Sequence, residues 1–188
     1  CVSDADKIIA KGGTQAEDAL FMKAECLEYI DKNKAMNVYK NVAVSSKRFS
    51  KPAYSRVALM SNNAEDVLWA SEALKQTTPK IWEKGILRFI DLSNKSDYDK
   101  HKDYIIELSK KSTPAVRSAS YWRIGKNNFE NGKVEDAAVE FMRGYYLFPQ
   151  EKYALENLVG AKASYTKRKR NKELAVIDKM LKEYNIKN

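Results

Sequence analysis

Between Tyr121 and Pro149 the chain reads YWRIGKNNFENGKVEDAAVEFMRGYYLFP, and residue size there follows a strict order. In a 34-residue frame opening at Ser118, Tyr121 is aromatic, Ile124 apolar, Gly125 small and Gly132 a turn glycine; Ala137 is small, Phe141 aromatic, Gly144 small and Pro149 a proline. Small residues at helical spacing let two antiparallel helices approach closely, and the aromatic residues fill the space between helix pairs. Asn131-Gly132 turns the chain from the first helix to the second, and Pro149 stops the second. This order predicts a helical hairpin that stacks on copies of itself.

Pro79, Pro114 and Pro149 follow one another at intervals of 35 residues. Proline is excluded from helix interiors, so an even spacing means evenly spaced breaks. Thr78-Pro79 and Thr113-Pro114 also read as an N-cap followed by an N1 proline. Outward from this frame the pattern predicts a short helix over 4–11, stopped by Gly12-Gly13, and a helix over 15–30 with Thr14 as cap and Glu17 completing a capping box. Further helices are predicted over 34–49, 52–61, 64–76, 79–92, 97–111, 115–130, 133–147, 150–165 and 172–184. The chain divides into an N-terminal segment, 1–13, and a repeat domain, 14–188, of about five helix pairs. The final helix alternates Leu174, Ile177 and Leu181 with charge, as a terminal cap with one wet face should. With 7 glycines, 4 prolines and no alternating runs of Val and Ile, the fold class is all-α. No apolar run reaches the roughly 18 residues of a spanning helix.

The 118–151 frame resembles a tetratricopeptide (TPR) repeat. The N-terminal third, with Ala16-Glu17-Asp18-Ala19-Leu20, Lys34-Ala35, Val38-Tyr39 and Arg48-Phe49-Ser50-Lys51-Pro52-Ala53-Tyr54-Ser55, is similar to TPR proteins of the bacterial envelope. These include proteins of outer-membrane assembly and periplasmic coordinators of envelope synthesis. The resemblance implies a right-handed α-solenoid whose first helices line a concave groove for a peptide. In that groove it places Trp122, Arg123, Lys126, Phe129 and Glu130, followed by Tyr153, Glu156 and Asn157. Trp122 with Arg123 is the expected anchor pair, because aromatics and arginine dominate interface energies. Packing against neighbouring helices is the competing role for Trp122 and Phe129. Where some TPR domains clamp a terminal carboxylate with lysine, this chain has Trp122, so no such clamp is expected.

The chain begins at Cys1, as a mature bacterial lipoprotein does; the alternative is a fragment boundary that falls at a cysteine. In lipoproteins that sulfur carries a diacylglyceryl group, and Val2 in place of aspartate resembles those sorted to the outer membrane. The resemblance therefore implies a periplasm-facing, lipid-anchored scaffold for protein partners. Cys26, among Leu20, Ala24, Leu27 and Ile30, is expected to be a buried thiol, and no intramolecular disulfide is expected.

The net charge is uneven: 14 basic and 12 acidic residues in 1–94, a balance of +2, against 20 and 13 in 95–188, a balance of +7. Lys162, Lys167, Arg168, Lys169, Arg170 and Lys172 form an acid-free cluster, which fits either a solvated loop or a binder of anionic ligand or nucleic acid. Enzyme chemistry has little support. His101 stands alone without metal-spaced companions, and Gly12-Gly13 lacks a phosphate-loop context. Glu135-Asp136 and Glu65-Asp66 fall at helix starts, where the macrodipole favours carboxylates. A cell-wall hydrolase ranks last among the alternatives. No cofactor, metal or small-molecule substrate is expected.

Overall fold

A computed structural model describes residues 1–187, with side chains through Tyr184. Among the described residues there are eleven helices and no strand. They fall into two compact units, Cys1–Leu92 and Ser93–Asn188. The first holds α1 (Val2–Lys11), α2 (Ala16–Glu28), α3 (Lys32–Ser45), α4 (Ser50–Met60), α5 (Ala64–Leu74) and α6 (Pro79–Leu92). The second holds α7 (Lys95–Lys110), α8 (Pro114–Glu130), α9 (Val134–Leu147), α10 (Ala154–Lys167) and α11 (Asn171–Lys187). Within each unit successive helices pack on one another in chain order, and α4 with α6 and α8 with α10 meet across the helix between them. The helices expected to pair over 79–92 and 97–111 belong to different units.

Local chemistry explains the helix starts. Asp31, a cap the periodicity alone does not reveal, accepts from the backbone N–H groups of Asn33 and Lys34, both at 3.1 Å, and opens α3 before the expected Lys34. Asn63 accepts from Asp66 N–H at 3.0 Å. Asn94 and Asp97 form a reciprocal capping box, so α7 starts at Lys95, two residues before the expected start at 97. Thr113 caps α8 with Pro114 at its first position, as expected. The expected box of Thr14 and Glu17 does not form. Gln15 is the cap residue of α2, and Glu17 accepts from the Ser46 hydroxyl at 2.5 Å. Ser46 in turn accepts from Phe49 N–H at 2.9 Å, so Glu17 fixes the α3–α4 turn.

In the first unit Tyr39, Val42, Val57 and Leu74 are fully buried, and Phe21 stacks on Phe49 at 4.9 Å. The Tyr39 hydroxyl donates to Glu28 at 2.5 Å, and burial followed by that bond raises its pKa. Gly85 of α6 lies against Ser71 of α5 so closely that a Cβ would clash with its side chain. A disulfide joins Cys1 to Cys26, with Cα atoms 6.3 Å apart, and ties α1 to α2. The expectation of a free thiol and no internal disulfide is thereby corrected: α1 packs along α2 and brings its first residue beside Cys26. Ile30, expected on the same buried face, is exposed because α2 ends at Glu28.

In the second unit Phe141 of α9 is the central wedge, within a cluster of Ala137, Leu158, Ala161 and Ile177. A Cβ on Gly125 would stand 2.7 Å from its ring, and one on Gly160 would stand 2.6 Å from it. Two glycine backbones therefore close on one aromatic side chain. This sets the spacing of α8 and α10 around α9.

Candidate peptide groove

On α8, Trp122, Lys126 and Phe129 lie at i, i+4 and i+7 and share one face. On α10 the matching stripe is Glu156, Val159, Ala163 and Lys167. Trp122 meets Tyr153 at 5.6 Å near the start of α10, and Lys167 lies 5.0 Å over the Phe129 ring at its end, so the two stripes run alongside one another. Between them is a depression of about 410 Å³ with Trp122, Lys126, Glu156 and Val159 in its walls. Leu155, Gly160 and Ala163 complete the α10 side, and Phe141 forms the floor. Val159 is 53% exposed beside this aromatic floor.

Charge is distributed unevenly along this face. The Lys126 ammonium sits 5.1 Å over the Trp122 ring, a cation–π contact. The Glu156 Oε2 atom is buried and has no hydrogen-bond partner. Tyr153 is the cap residue of α10, so Glu156 occupies N3, from which a glutamate commonly bonds back to the cap N–H. No such box forms here.

Of the eight residues expected in the groove, Trp122, Lys126 and Glu156 line the depression. Phe129 extends the α8 stripe, and Glu130 is exposed at the end of that helix. Arg123, Tyr153 and Asn157 are buried instead. Arg123 points toward α7, where its Nη2 donates to the Asn94 carbonyl at 2.7 Å and its guanidinium lies 5.0 Å over Tyr98. Burial lowers the Arg123 pKa and raises that of Tyr98. Asn157 donates to the Ser118 carbonyl at 3.3 Å, and a Cβ on Gly144 would clash with it. The anchor pair Trp122–Arg123 is therefore split, because neighbours in a helix point about 100° apart. Val159 and Ala163 were not foreseen, although their spacing from Glu156 already described a stripe.

The basic segment is engaged with its own unit. Lys162 pairs with Asp178 at 2.7 Å, and Arg168 with Glu135 at 2.5 Å. Arg170 lies 3.9 Å from both Glu135 and Glu173. The hydrogen bond from Arg168 is the main cause of a lowered Glu135 pKa. Lys169 and Lys172 are exposed. Glu135, Arg168, Arg170 and Glu173 border a smaller depression of about 250 Å³ that Tyr165 also lines. A further depression of about 520 Å³ lies beside the disulfide, with Met22, Tyr29, Ile30 and Arg56 in its walls. Among the described residues no group of three or more His, Cys, Asp or Glu could hold a metal ion, and no helix is long and apolar enough to cross a membrane.

Comparison of the chain with protein-family models, with curated proteins and with solved structures finds no match.

Proposed function

We propose that this protein is a TPR-type scaffold that holds a segment of another protein between α8 and α10. The observation that carries the proposal is the pairing of a half-buried Trp122 on α8 with an exposed Val159 on α10 beside the buried Phe141 ring. An aromatic and an aliphatic wall beside a packed floor can remove an apolar side chain from water, which supplies about 25 cal/mol for each Å² covered. The right-handed stacking and the repeat type belong to the same proposal. The repeat type is supported by the order of small and aromatic residues and by the meeting of α8 with α10 across α9, and the handedness is what the TPR resemblance implies.

Work at a bacterial envelope is the setting we infer, from the resemblance of the N-terminal third. A structural disulfide forms and persists in oxidising compartments, which suits an exported chain. It also occupies the sulfur that a diacylglyceryl group would need. Anchored and disulfide-bonded forms are thus alternatives for one atom, and the intact mass of the native N-terminal peptide distinguishes them.

The groove is tested by selecting a random dodecapeptide phage library on the purified protein and on Val159→Lys. Enrichment of a shared peptide pattern on the parent, lost on Val159→Lys while the helical circular dichroism spectrum is kept, supports the proposal. Equal recovery on both proteins refutes it.

A further inference from the structure

We propose that the groove selects a segment bearing a lysine or arginine beside its apolar anchor, and that Glu156 reads that cation. This rests on the groove reading above and names the chemistry of its occupant. The Glu156 carboxylate lies in the wall of the depression, with Oε2 buried and without a donor. A carboxylate oxygen withdrawn from water is costly unless a hydrogen bond replaces the lost hydration. The α10 macrodipole favours a negative charge in the first turn, but it does not satisfy an individual oxygen. An incoming ammonium or guanidinium supplies the missing donor.

On the opposite wall Lys126 holds its own ammonium over the Trp122 ring, so that face is taken and the incoming cation is read by Glu156 alone. Val159 and Leu155 beside Glu156 cover the apolar stem of a lysine or arginine whose charged head reaches the carboxylate. Toward the other end of the stripe the charge changes sign, at Lys167 over Phe129. Glu156 and Lys167 are eleven residues apart, about 16 Å at 1.5 Å per residue. An extended segment covers that length with about five residues at about 3.3 Å each. The occupant is then a short extended stretch, cationic at the Glu156 end and apolar over Val159 and Ala163. An acidic side chain at the Glu156 end would leave two carboxylates facing each other, so the groove discriminates as well as attracts.

The test is to select the same phage library on the parent, on Glu156→Lys and on Val159→Lys, then measure synthetic peptides from the winning set by fluorescence anisotropy. The expected result is enrichment of Lys or Arg beside apolar residues on the parent, and of Asp or Glu on Glu156→Lys. Glu156→Gln, which keeps size and shape, should weaken the best parental peptide at least tenfold. An enriched pattern that Val159→Lys abolishes but Glu156→Lys leaves unchanged would overturn the cation assignment while the groove reading stands. Absence of enrichment over Val159→Lys would remove both.

Discussion

Phe141 is the best place to test whether the second unit is assembled as described. Its ring is 4% exposed and is approached by the backbones of Gly125 and Gly160, where added Cβ atoms would stand 2.7 and 2.6 Å away. Carbon atoms in contact prefer about 3.5–4.0 Å, so an alanine at either position requires a shift of roughly 1 Å. The ring has little room to give, because Ala137, Leu158, Ala161 and Ile177 surround it. Replacing a helical glycine by alanine otherwise stabilises by about 1 kcal/mol. Overpacking a filled core costs about 1–3 kcal/mol, and the shared ring places these sites toward the upper end. Gly160→Ala and Gly125→Ala should therefore each destabilise the second unit by roughly 1–2 kcal/mol. Urea unfolding by circular dichroism, with hydrogen exchange of peptides covering 134–167, measures this. Phe141→Leu should partly rescue Gly160→Ala, with a coupling of about 1 kcal/mol in the double-mutant cycle. A Gly160→Ala protein more stable than the parent would show that only helix propensity is felt there, and the glycine–ring–glycine packing would be refuted.

Arg123→Met should leave selected peptides bound with unchanged affinity in anisotropy, because the side chain donates to the Asn94 carbonyl and does not line the depression. Reducing the Cys1–Cys26 bond opens a loop whose closure is worth about 3–4 kcal/mol on the chain-entropy account, so hydrogen exchange in Val2–Lys11 should quicken while α8–α10 is unaffected. Glu135 has a folded pKa below its ordinary value, so its contribution is present above the ordinary carboxylate range and lost as pH falls through the folded value. Acid unfolding of Glu135→Gln should accordingly be flatter than that of the parent. Glu140 shows the opposite sign: burial raises its pKa, and its ionised form opposes folding at neutral pH. Glu140→Gln should raise the melting temperature at pH 7, and the gain should vanish in acid.

The helices were legible because their punctuation is chemical. Pro79 and Pro114 stand at the first residue of α6 and α8, and Asn131-Gly132 makes the turn that ends α8, with Gly132 at φ 77°. The groove was legible only by half. Periodicity put Trp122, Lys126 and Glu156 on faces that line one depression, but a one-residue step along a helix separates Trp122 from the buried Arg123. The long stem of an arginine reads the same in sequence whether it lies in a groove or between α7 and α8. Asn157 was misplaced for a related reason. Its role depends on Gly144 of another helix, an approach visible only after α9 and α10 are packed. The basic segment looked free of acids because its partners Glu135 and Asp178 are distant in sequence or on the next helix.

The prolines also conceal a second register. Gly85, Ser120 and Gly160 are each the seventh residue of their helix, and all three lie where the backbone packs closely or the side chain is buried. The first step between them is 35 residues, like the proline period, but the second is 40. The difference arises because α10 starts five residues after Pro149, whereas α6 and α8 start at their prolines. The later start of α10 thus changes which helix position meets α9, while Gly125 and Gly160, the two glycines against Phe141, keep the 35-residue interval. That register puts Gly160 against Phe141 and turns Glu156, Val159 and Ala163 outward beside Trp122. The groove's floor is thereby fixed by the same contact that holds the unit together. Its walls, one turn away, can change without disturbing the core, so substitutions at Glu156 and Val159 probe the proposed recognition while the fold stays as it is.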